Sequence, residues 1–168
     1  RTFVVAVLGY ADESRRLGRL DEARAVYEAL GELPDPETER RRRLLIAYTL
    51  LGSGEWVLAR EHWQQCEQPV ADASMLGLFW LIAGALAAHE QRHDEAFDAL
   101  SRGMVDAEGV DEWRPELLTL LAQSYDAVGR TSAAEAIRNE LMQFYGRAAP
   151  LTRIAVPAHP PTAESPPH

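Results

Sequence analysis

Four stretches of the sequence repeat one spacing of small and turn-forming residues. In each, a small residue in an apolar run precedes a turn position by seven residues and an alanine by twelve. The sets are Ala11, Gly18, Ala23; Ala47, Gly54, Ala59; Gly84, Gln91, Ala96; and Ala122, Gly129, Ala134. The last alanines recur at intervals of 36, 37 and 38 residues, a period typical of stacked helix hairpins. The spacing therefore predicts an all-α chain of four hairpins.

The small residues have a packing role in this prediction. Two antiparallel helices approach closely only where their side chains are small, so we expect Ala11 to face Ala23 and the other pairs to do likewise. Glycine closes a helix in the left-handed conformation without steric cost, which suits Gly18, Gly54 and Gly129. Larger apolar residues beside the small ones complete the predicted core: Tyr10, Tyr27, Ile46, Trp63, Leu100 and Leu121.

Eight helices follow from this pattern. They are predicted near residues 3–16, 19–32, 37–51, 55–67, 73–90, 93–107, 114–127 and 131–146. Six prolines lie between residues 150 and 167, and proline in this density prevents helix formation. We therefore expect a repeat domain over 1–147, with repeats near 3–36, 37–72, 73–110 and 111–147, and a proline-rich extended tail over 148–168.

These residues resemble the tetratricopeptide repeat family. The first repeat reads Gly18-Arg19-Leu20-Asp21-Glu22-Ala23, followed by Tyr27 and Leu33-Pro34; the third has Trp80, Ala83-Gly84 and Asp94-Glu95-Ala96; the fourth has Leu121-Ala122, Tyr125 and Ala134. The departures are repeats longer than the family's usual 34 residues, Gln91 at a glycine position, and Arg43 and Arg138 at apolar positions. The resemblance implies a right-handed α-solenoid of about four hairpins.

In that family the first helix of each hairpin lines a concave groove that holds ligands. The resemblance thus implies groove contacts at Leu8, Asp12, Arg15, Arg16, Leu44, Tyr48, Leu51, Leu81, Ala85, Ala88, His89, Thr119, Gln123 and Asp126. Family members that bind chaperone tails carry a Lys and Asn pair where this chain has Leu8 and Asp12, so a chaperone adaptor is disfavoured. We expect a protein-interaction module that binds a peptide or helix of a partner, with no catalytic residue and no cofactor.

One string supports an alternative function. His89-Glu90-Gln91-Arg92-His93 matches H-E-x-x-H, in which two histidines one helical turn apart bind zinc and the glutamate activates water. This chemistry needs one continuous helix, whereas the repeat spacing puts Gln91 in a turn. No third ligand is evident, since His62 lies in another hairpin and His159 in the tail. A zinc-dependent hydrolase is therefore the alternative, and we predict no metal site.

Charge and composition restrict the partner. The chain has 17 Lys+Arg and 26 Asp+Glu, a net charge of −9, which disfavours direct binding to nucleic acid. The Arg40 to Arg43 run has two interpretations, a patch that binds an anion or nucleic acid and a solvated helix start. We expect the second, because a helix spreads four consecutive side chains around its circumference. No apolar run is long enough to span a membrane. One cysteine, Cys66, suits a reducing compartment, and we expect a cytoplasmic protein in which this residue is packed.

The ends of the chain prompt two further expectations. Residue 1 is arginine and the helical pattern begins at once, so we expect this chain to be the regulatory or sensor part of a larger bacterial protein, such as a transcription regulator. Leu151, Ile154 and Val156 are apolar anchors between Pro150 and Pro157. Proline-rich segments lose little entropy on binding. We therefore expect residues 150–157 to pack on a helical surface of this chain or of a neighbouring copy, where they compete with the partner.

Overall fold

The computed structural model describes residues 2–66, 72–109, 112–146 and 154. In these residues the chain is all-α, and no strand occurs among them. The eight helices are α1 (Thr2–Arg16), α2 (Leu20–Ala29), α3 (Pro36–Gly52), α4 (Trp56–Gln64), α5 (Ala73–His89), α6 (His93–Asp106), α7 (Arg114–Ala127) and α8 (Thr131–Tyr145). The predicted all-α class is confirmed, and each predicted helix is present.

Side-chain caps explain where two of the helices begin. The carboxylate of Asp35 accepts a hydrogen bond from the backbone N–H of Thr38 at 2.9 Å, and Pro36 is the first residue of α3. Asp72 accepts one from the backbone N–H of Met75 at 3.0 Å at the start of α5. Both caps satisfy a backbone donor that has no partner within its own helix. They fix the starts of α3 and α5 within one residue of the predicted positions.

The turn within each hairpin lies where the spacing predicts it. Gly18, Gly54 and Gly129 have φ angles of 88°, 77° and 74°, the left-handed region that glycine enters freely. Gln91 occupies the corresponding position of the third hairpin with φ 60°, and it is the one non-glycine residue with positive φ in the described part of the chain. The repeat thus imposes the same backbone conformation even where its usual residue is missing.

Within each hairpin the two helices touch through small residues, as predicted. Ala11, Ala23, Ala47, Ala59, Ala96 and Ala134 are all 0% exposed. In the third hairpin the close approach requires glycine, because a Cβ atom added to Gly84 would lie 2.5 Å from Cγ of Leu100. No real side chain tolerates that distance, so a larger residue at position 84 would force the two helices apart.

Successive hairpins pack in chain order. The second helix of one hairpin contacts the first helix of the next, and α3, α5 and α7 also contact one another in sequence. Close approach again depends on glycine, because a Cβ atom on Gly103 of α6 would lie 2.8 Å from Cδ2 of Leu117 on α7. α5 contacts α3, α4, α6 and α7 and is therefore the centre of the apolar core.

One predicted core residue is on the surface. Tyr10 is 53% exposed, and its hydroxyl donates to Glu22 on the neighbouring helix. The prediction was wrong because this face of α1 has no further helix of the described chain against it. Tyr27, Ile46 and Leu100 are fully buried, whereas Trp63 and Leu121 pack on the core while partly exposed.

The helices are too short or too polar for a bilayer. Even α5, the most apolar of them, lacks the combination of length and hydropathy that a crossing requires, and the same holds for every other described helix. The predicted tail over 148–168 lies outside the described residues except for Ile154. That residue is 0% exposed and belongs to the apolar core.

Candidate functional site

Polar side chains from all four hairpins meet on the side formed by the first helices. We call this group the central polar cluster and define it as Asp12, Arg15, Tyr27, Tyr48, Ser74, Glu112 and Glu116. Its members come from α1, α2, α3, α5, the segment before α7, and α7 itself. Buried polar groups are tolerated where they find partners, and the contacts of this cluster supply them.

Arg15 connects the first hairpin to the fourth. Its Nη2 lies 2.7 Å from Oε1 of Glu112, and its guanidinium stands over the ring of Trp113 at 4.4 Å from the ring centroid. The second oxygen of Glu112 accepts a hydrogen bond from Ser74 at 2.9 Å. The carboxylate of Glu112, which lies immediately before α7, therefore joins the end of α1 to the start of α5. A planar guanidinium suits this combination of ion pair and ring contact.

The charges of this pair are stabilised in the fold. Burial lowers the pKa of Arg15, but the carboxylate of Glu112 and weaker contributions from Tyr27, Tyr48 and Asp12 raise it more, so the pKa is above its ordinary value. Burial raises the pKa of Glu112, but the hydrogen bond from Ser74 and the charge of Arg15 together lower it by more. The pKa of Glu112 is therefore below its ordinary value. Both groups are thus ionised at neutral pH.

Two tyrosines complete the cluster. The Tyr48 hydroxyl lies 2.7 and 2.8 Å from the two carboxylate oxygens of Glu116. The Tyr27 hydroxyl donates to Asp12 at 2.6 Å, and burial followed by this hydrogen bond raises the pKa of Tyr27 far above its ordinary value. The second oxygen of Asp12 pairs with Arg41 at 2.7 Å. Tyr27 therefore stays protonated, and each of the two tyrosine hydroxyls donates to a carboxylate.

The structure does not show an open groove at most of the positions that the resemblance implies. None of the following residues is more than 7% exposed: Leu8, Asp12, Arg15, Leu44, Tyr48, Leu51, Leu81, Ala85 and Ala88. The expectation that Tyr48 and Leu81 face a partner is corrected, because α3, α5 and α7 pack directly on one another and enclose these side chains. Shortening either residue removes core packing as well as any contact with a ligand.

The remaining predicted positions are accessible. Arg16 is exposed at the end of α1, and its Nη2 lies 3.5 Å from Glu112. His89 is partly exposed at the end of α5. Thr119, Gln123 and Asp126 are partly exposed and follow one another at helical spacing on one side of α7; we call them the α7 stripe. Asp126 pairs with Arg138 of α8.

The α7 stripe continues the central polar cluster. Glu116 precedes Thr119 by three residues on the same side of α7, so this face runs from a buried carboxyl to partly exposed polar side chains. The corresponding residues of α3 and α5 are apolar and buried, among them Leu44 and Leu81. The fourth hairpin is therefore where polar side chains of a first helix are partly exposed, although the Thr119 hydroxyl donates to the backbone carbonyl of Pro115 and Asp126 pairs with Arg138.

The H-E-x-x-H string does not lie on one helix. His89 ends α5, Gln91 takes the left-handed conformation, and His93 begins α6, so the predicted turn is confirmed. The His89 ring stacks on Trp56 at 4.1 Å between centroids, and burial together with the charge of Arg60 lowers its pKa. In the described part of the chain no three His, Cys, Asp or Glu side chains are grouped as metal ligands. The zinc hydrolase has no geometric support.

Cys66 and the arginine run have structural contacts. Cys66 is buried, and burial raises its pKa to about 11, so its thiol is protonated and unreactive. Arg42 makes two contacts of 2.8 Å with the oxygens of Glu39, and Arg43 makes one of 2.6 Å with Oε1. The expectation of a wholly solvated run is corrected, since Arg42 is buried and pairs with Glu39, three residues earlier in the same helix.

The repeated triplets did not reveal part of the cluster. Glu112 and Trp113 lie between repeats, where the pattern assigns no role, and Ser74 lies at the start of a helix. The one available signal was Trp113, a large apolar residue in a polar segment directly before Arg114-Pro115. It is fully buried in the structure, with its ring edge-on to Tyr48 at 5.2 Å between centroids.

Comparison of the chain with protein-family models, with curated proteins and with solved structures found no match.

Proposed function

We propose that the chain is a tetratricopeptide-type, right-handed α-solenoid that binds an extended segment of a partner protein along α7. The four hairpins, their recurring left-handed turns and their small-residue contacts support the family assignment. The α7 stripe carries the binding proposal, because it is a row of partly exposed polar side chains beside an enclosed apolar core. The same role suits the regulatory or sensor part of a larger bacterial protein.

The spacing of the α7 stripe fits an extended chain. Thr119 and Gln123 are one helical turn apart, a rise of about 6 Å along the helix axis. Alternate residues of an extended segment are about 6.6 Å apart, so Thr119 and Gln123 are spaced to lie beside alternate residues of such a ligand. The side-chain NH2 group of Gln123 can donate to a backbone carbonyl of such a ligand, whereas its side-chain oxygen is buried. Backbone contacts of this kind give affinity with little dependence on the ligand's side chains.

A random decapeptide display library selected on the purified chain tests this proposal. The dissociation constant of the best selected peptide is measured by fluorescence anisotropy on the wild type and on Gln123→Ala. We expect the substitution to weaken binding by at least about 1 kcal/mol, roughly fivefold or more, with the unfolding midpoint nearly unchanged.

Gln143→Ala is the matched control, because Gln143 is an exposed glutamine on α8 and is not part of the stripe. Its affinity should equal that of the wild type. Equal losses in both variants, or a library that yields no peptide at all, would contradict binding along α7.

A further inference from the structure

A cavity of about 420 Å³ lies between the second and third hairpins. Its lining comes from α4, α5, α6 and the turn between α5 and α6, and we call it the indole cavity. The apolar lining residues are Trp63, Trp80, Ala83, Leu86, Ala87 and Ala99. Small-molecule sites are typically concave and lined mostly by apolar and aromatic side chains with a few polar groups. The indole cavity has this composition, and the α7 stripe contributes none of the residues that line it.

The two indole rings of the lining are held in fixed orientations. Nε1 of Trp63 donates to the backbone carbonyl of Phe79 at 3.2 Å, and Nε1 of Trp80 donates to Asp106 at 2.7 Å. The ring of Phe79 also contacts both indoles, at 5.2 and 5.1 Å between centroids. Both tryptophans remain partly exposed. Rings that are already fixed lose little further entropy on binding, so they suit a flat aromatic group of a ligand.

Two arginines give one end of the indole cavity a group of cationic donors. Arg60 and Arg92 both line the cavity, and they pair with different oxygens of one carboxylate, that of Glu90. Each guanidinium carries five N–H donors, whereas a carboxylate offers two oxygens. Arg60 and Arg92 therefore lie close together and retain donors for a second carboxylate, the group that a guanidinium binds most strongly.

The acidic residues of the lining do not cancel these charges. The side chains of Glu95 and Asp98 are 62% and 63% exposed and each pairs with an arginine, whereas the side chain of Arg60 is 33% exposed. Water and salt screen exposed charges more strongly than partly buried ones. Burial and, after it, the charge of Arg60 lower the pKa of His89, so a positive potential acts beside Arg60. An anionic group of a ligand is favoured at this end of the cavity.

We propose that the indole cavity binds a small aromatic carboxylate, with its ring against Trp63 and Trp80 and its carboxylate at Arg60 and Arg92. The cavity volume is near the lower end of the range for small-molecule sites, which suits a ligand of one or two rings with a short acidic arm. This site is separate from the α7 stripe, so neither proposal depends on the other. The chain then has a small-molecule site between its second and third hairpins besides the segment-binding site on the fourth.

Isothermal titration calorimetry of the full chain with 1-naphthaleneacetate tests the proposal, and 1-naphthaleneacetamide supplies the same rings without the charge. We expect the acetate to bind at least about fivefold more tightly than the amide, because the amide lacks the charge-assisted hydrogen bonds. Arg60→Gln and Arg92→Gln should each weaken binding of the acetate toward that of the amide. Neither substitution should change the affinity for the amide, which a merely structural effect on the cavity would lower as well.

Ala83→Leu tests the position of the ring, because the larger side chain occupies the cavity. It should weaken binding of both compounds by at least about tenfold. Ala83 is partly exposed, so the added atoms extend into the cavity instead of into the core. Ala25→Leu is the matched control, because Ala25 is exposed on α2 and does not line the cavity. This variant should bind both compounds as the wild type does.

Four results would overturn the proposal. They are no binding of either compound at millimolar concentration, equal affinities for the two compounds, unchanged affinities in Ala83→Leu, or binding of N-acetyltryptophanamide as tight as that of the acetate. The last result would assign the cavity to an aromatic side chain of a partner protein. Circular dichroism checks the fold of each variant. If the arginine variants fail to fold, the comparison of the two compounds on the wild type and on Ala83→Leu still decides the question.

Discussion

The hydroxyl of Tyr48 lies within 2.8 Å of both carboxylate oxygens of Glu116, although the two residues are 68 positions apart in the sequence. Both side chains are buried, and Trp113 packs edge-on against the tyrosine ring. The contact joins α3 to α7, two helices that belong to the second and fourth hairpins. It therefore fixes the position of the fourth hairpin relative to the second.

Tyr48→Phe should destabilise the fold by about 1–3 kcal/mol, because it removes a donor from a buried carboxyl group while keeping the ring. The free energy of unfolding is measured by urea titration. Tyr10→Phe is the control, since the Tyr10 hydroxyl also contacts a glutamate but lies on the surface. Its expected effect is below about 0.5 kcal/mol. Similar losses in the two variants would show that burial of the Tyr48 contact has no special weight.

Ala134→Leu should lower the free energy of unfolding by about 1–3 kcal/mol. Ala134 is fully buried where α8 packs against α7, so the larger side chain cannot be accommodated. Ala136→Leu, two residues along the same helix, is exposed and should leave stability almost unchanged. Thermal midpoints of the two variants are compared by circular dichroism. An unchanged midpoint for Ala134→Leu would contradict the close contact that the repeat spacing predicts.

Gln91→Gly should stabilise the chain by about 0.5–1 kcal/mol. Gln91 has φ 60°, and relief of its left-handed strain outweighs the added flexibility of glycine in the unfolded chain. Gly129→Ala is the reverse test at the matching turn, where an added Cβ atom meets nothing within 4 Å. It should destabilise by about 1 kcal/mol through the backbone alone. Urea midpoints that shift in the same direction for both variants would refute this account.

Glu39 should make stability depend on acidic pH. Burial raises the pKa of Glu39, but hydrogen bonds from Arg42, the backbone N–H of Leu33 and Arg43 lower it to about 2. A carboxyl group whose folded pKa lies below its unfolded value stabilises the fold above that unfolded value, about 4.3. The stabilisation, about 2–3 kcal/mol, is therefore complete above about pH 5 and is lost as the pH falls toward 2.

Urea titrations between pH 7 and pH 2 check this dependence. Glu39→Gln should be less stable than the wild type at pH 7, and the difference should shrink as the pH falls below about 5. Glu37→Gln is the control, because Glu37 is exposed two residues earlier in the same helix. If the difference in unfolding free energy between the wild type and Glu39→Gln stayed constant with pH, the pKa of Glu39 would not be depressed in the folded state.

The fold could be predicted because each hairpin repeats its own local requirements. The turn residue and the small residues on either side of it can be recognised in the sequence. Gly18, which takes a positive φ angle, and the buried Ala11 and Ala23 are sufficient to place the first hairpin. The end of α2 was predicted less accurately. The helix stops at Ala29, three residues before its predicted end, because Gly31 takes a φ angle of 61°. That end depends on a residue outside the repeated triplet.

The site was predicted less well because it depends on how far the hairpins rotate relative to one another. Register identifies Leu44 and Leu81 as residues of the first helices, but it does not say whether neighbouring helices leave them open. In the structure they are enclosed. The pairing of Arg15 with Glu112 is also invisible in the sequence, since neither residue belongs to a motif and 97 positions separate them.

That same separation affects how the chain folds. A stack in which each repeat touches only its neighbours can lose its terminal repeats one at a time, and its contacts are mostly local in sequence. The ion pair between Arg15 and Glu112 instead makes the first hairpin a neighbour of the fourth. Fraying from either end then breaks contacts at both ends together. The array is expected to unfold as one cooperative unit, more like a globular domain than a string of independent repeats.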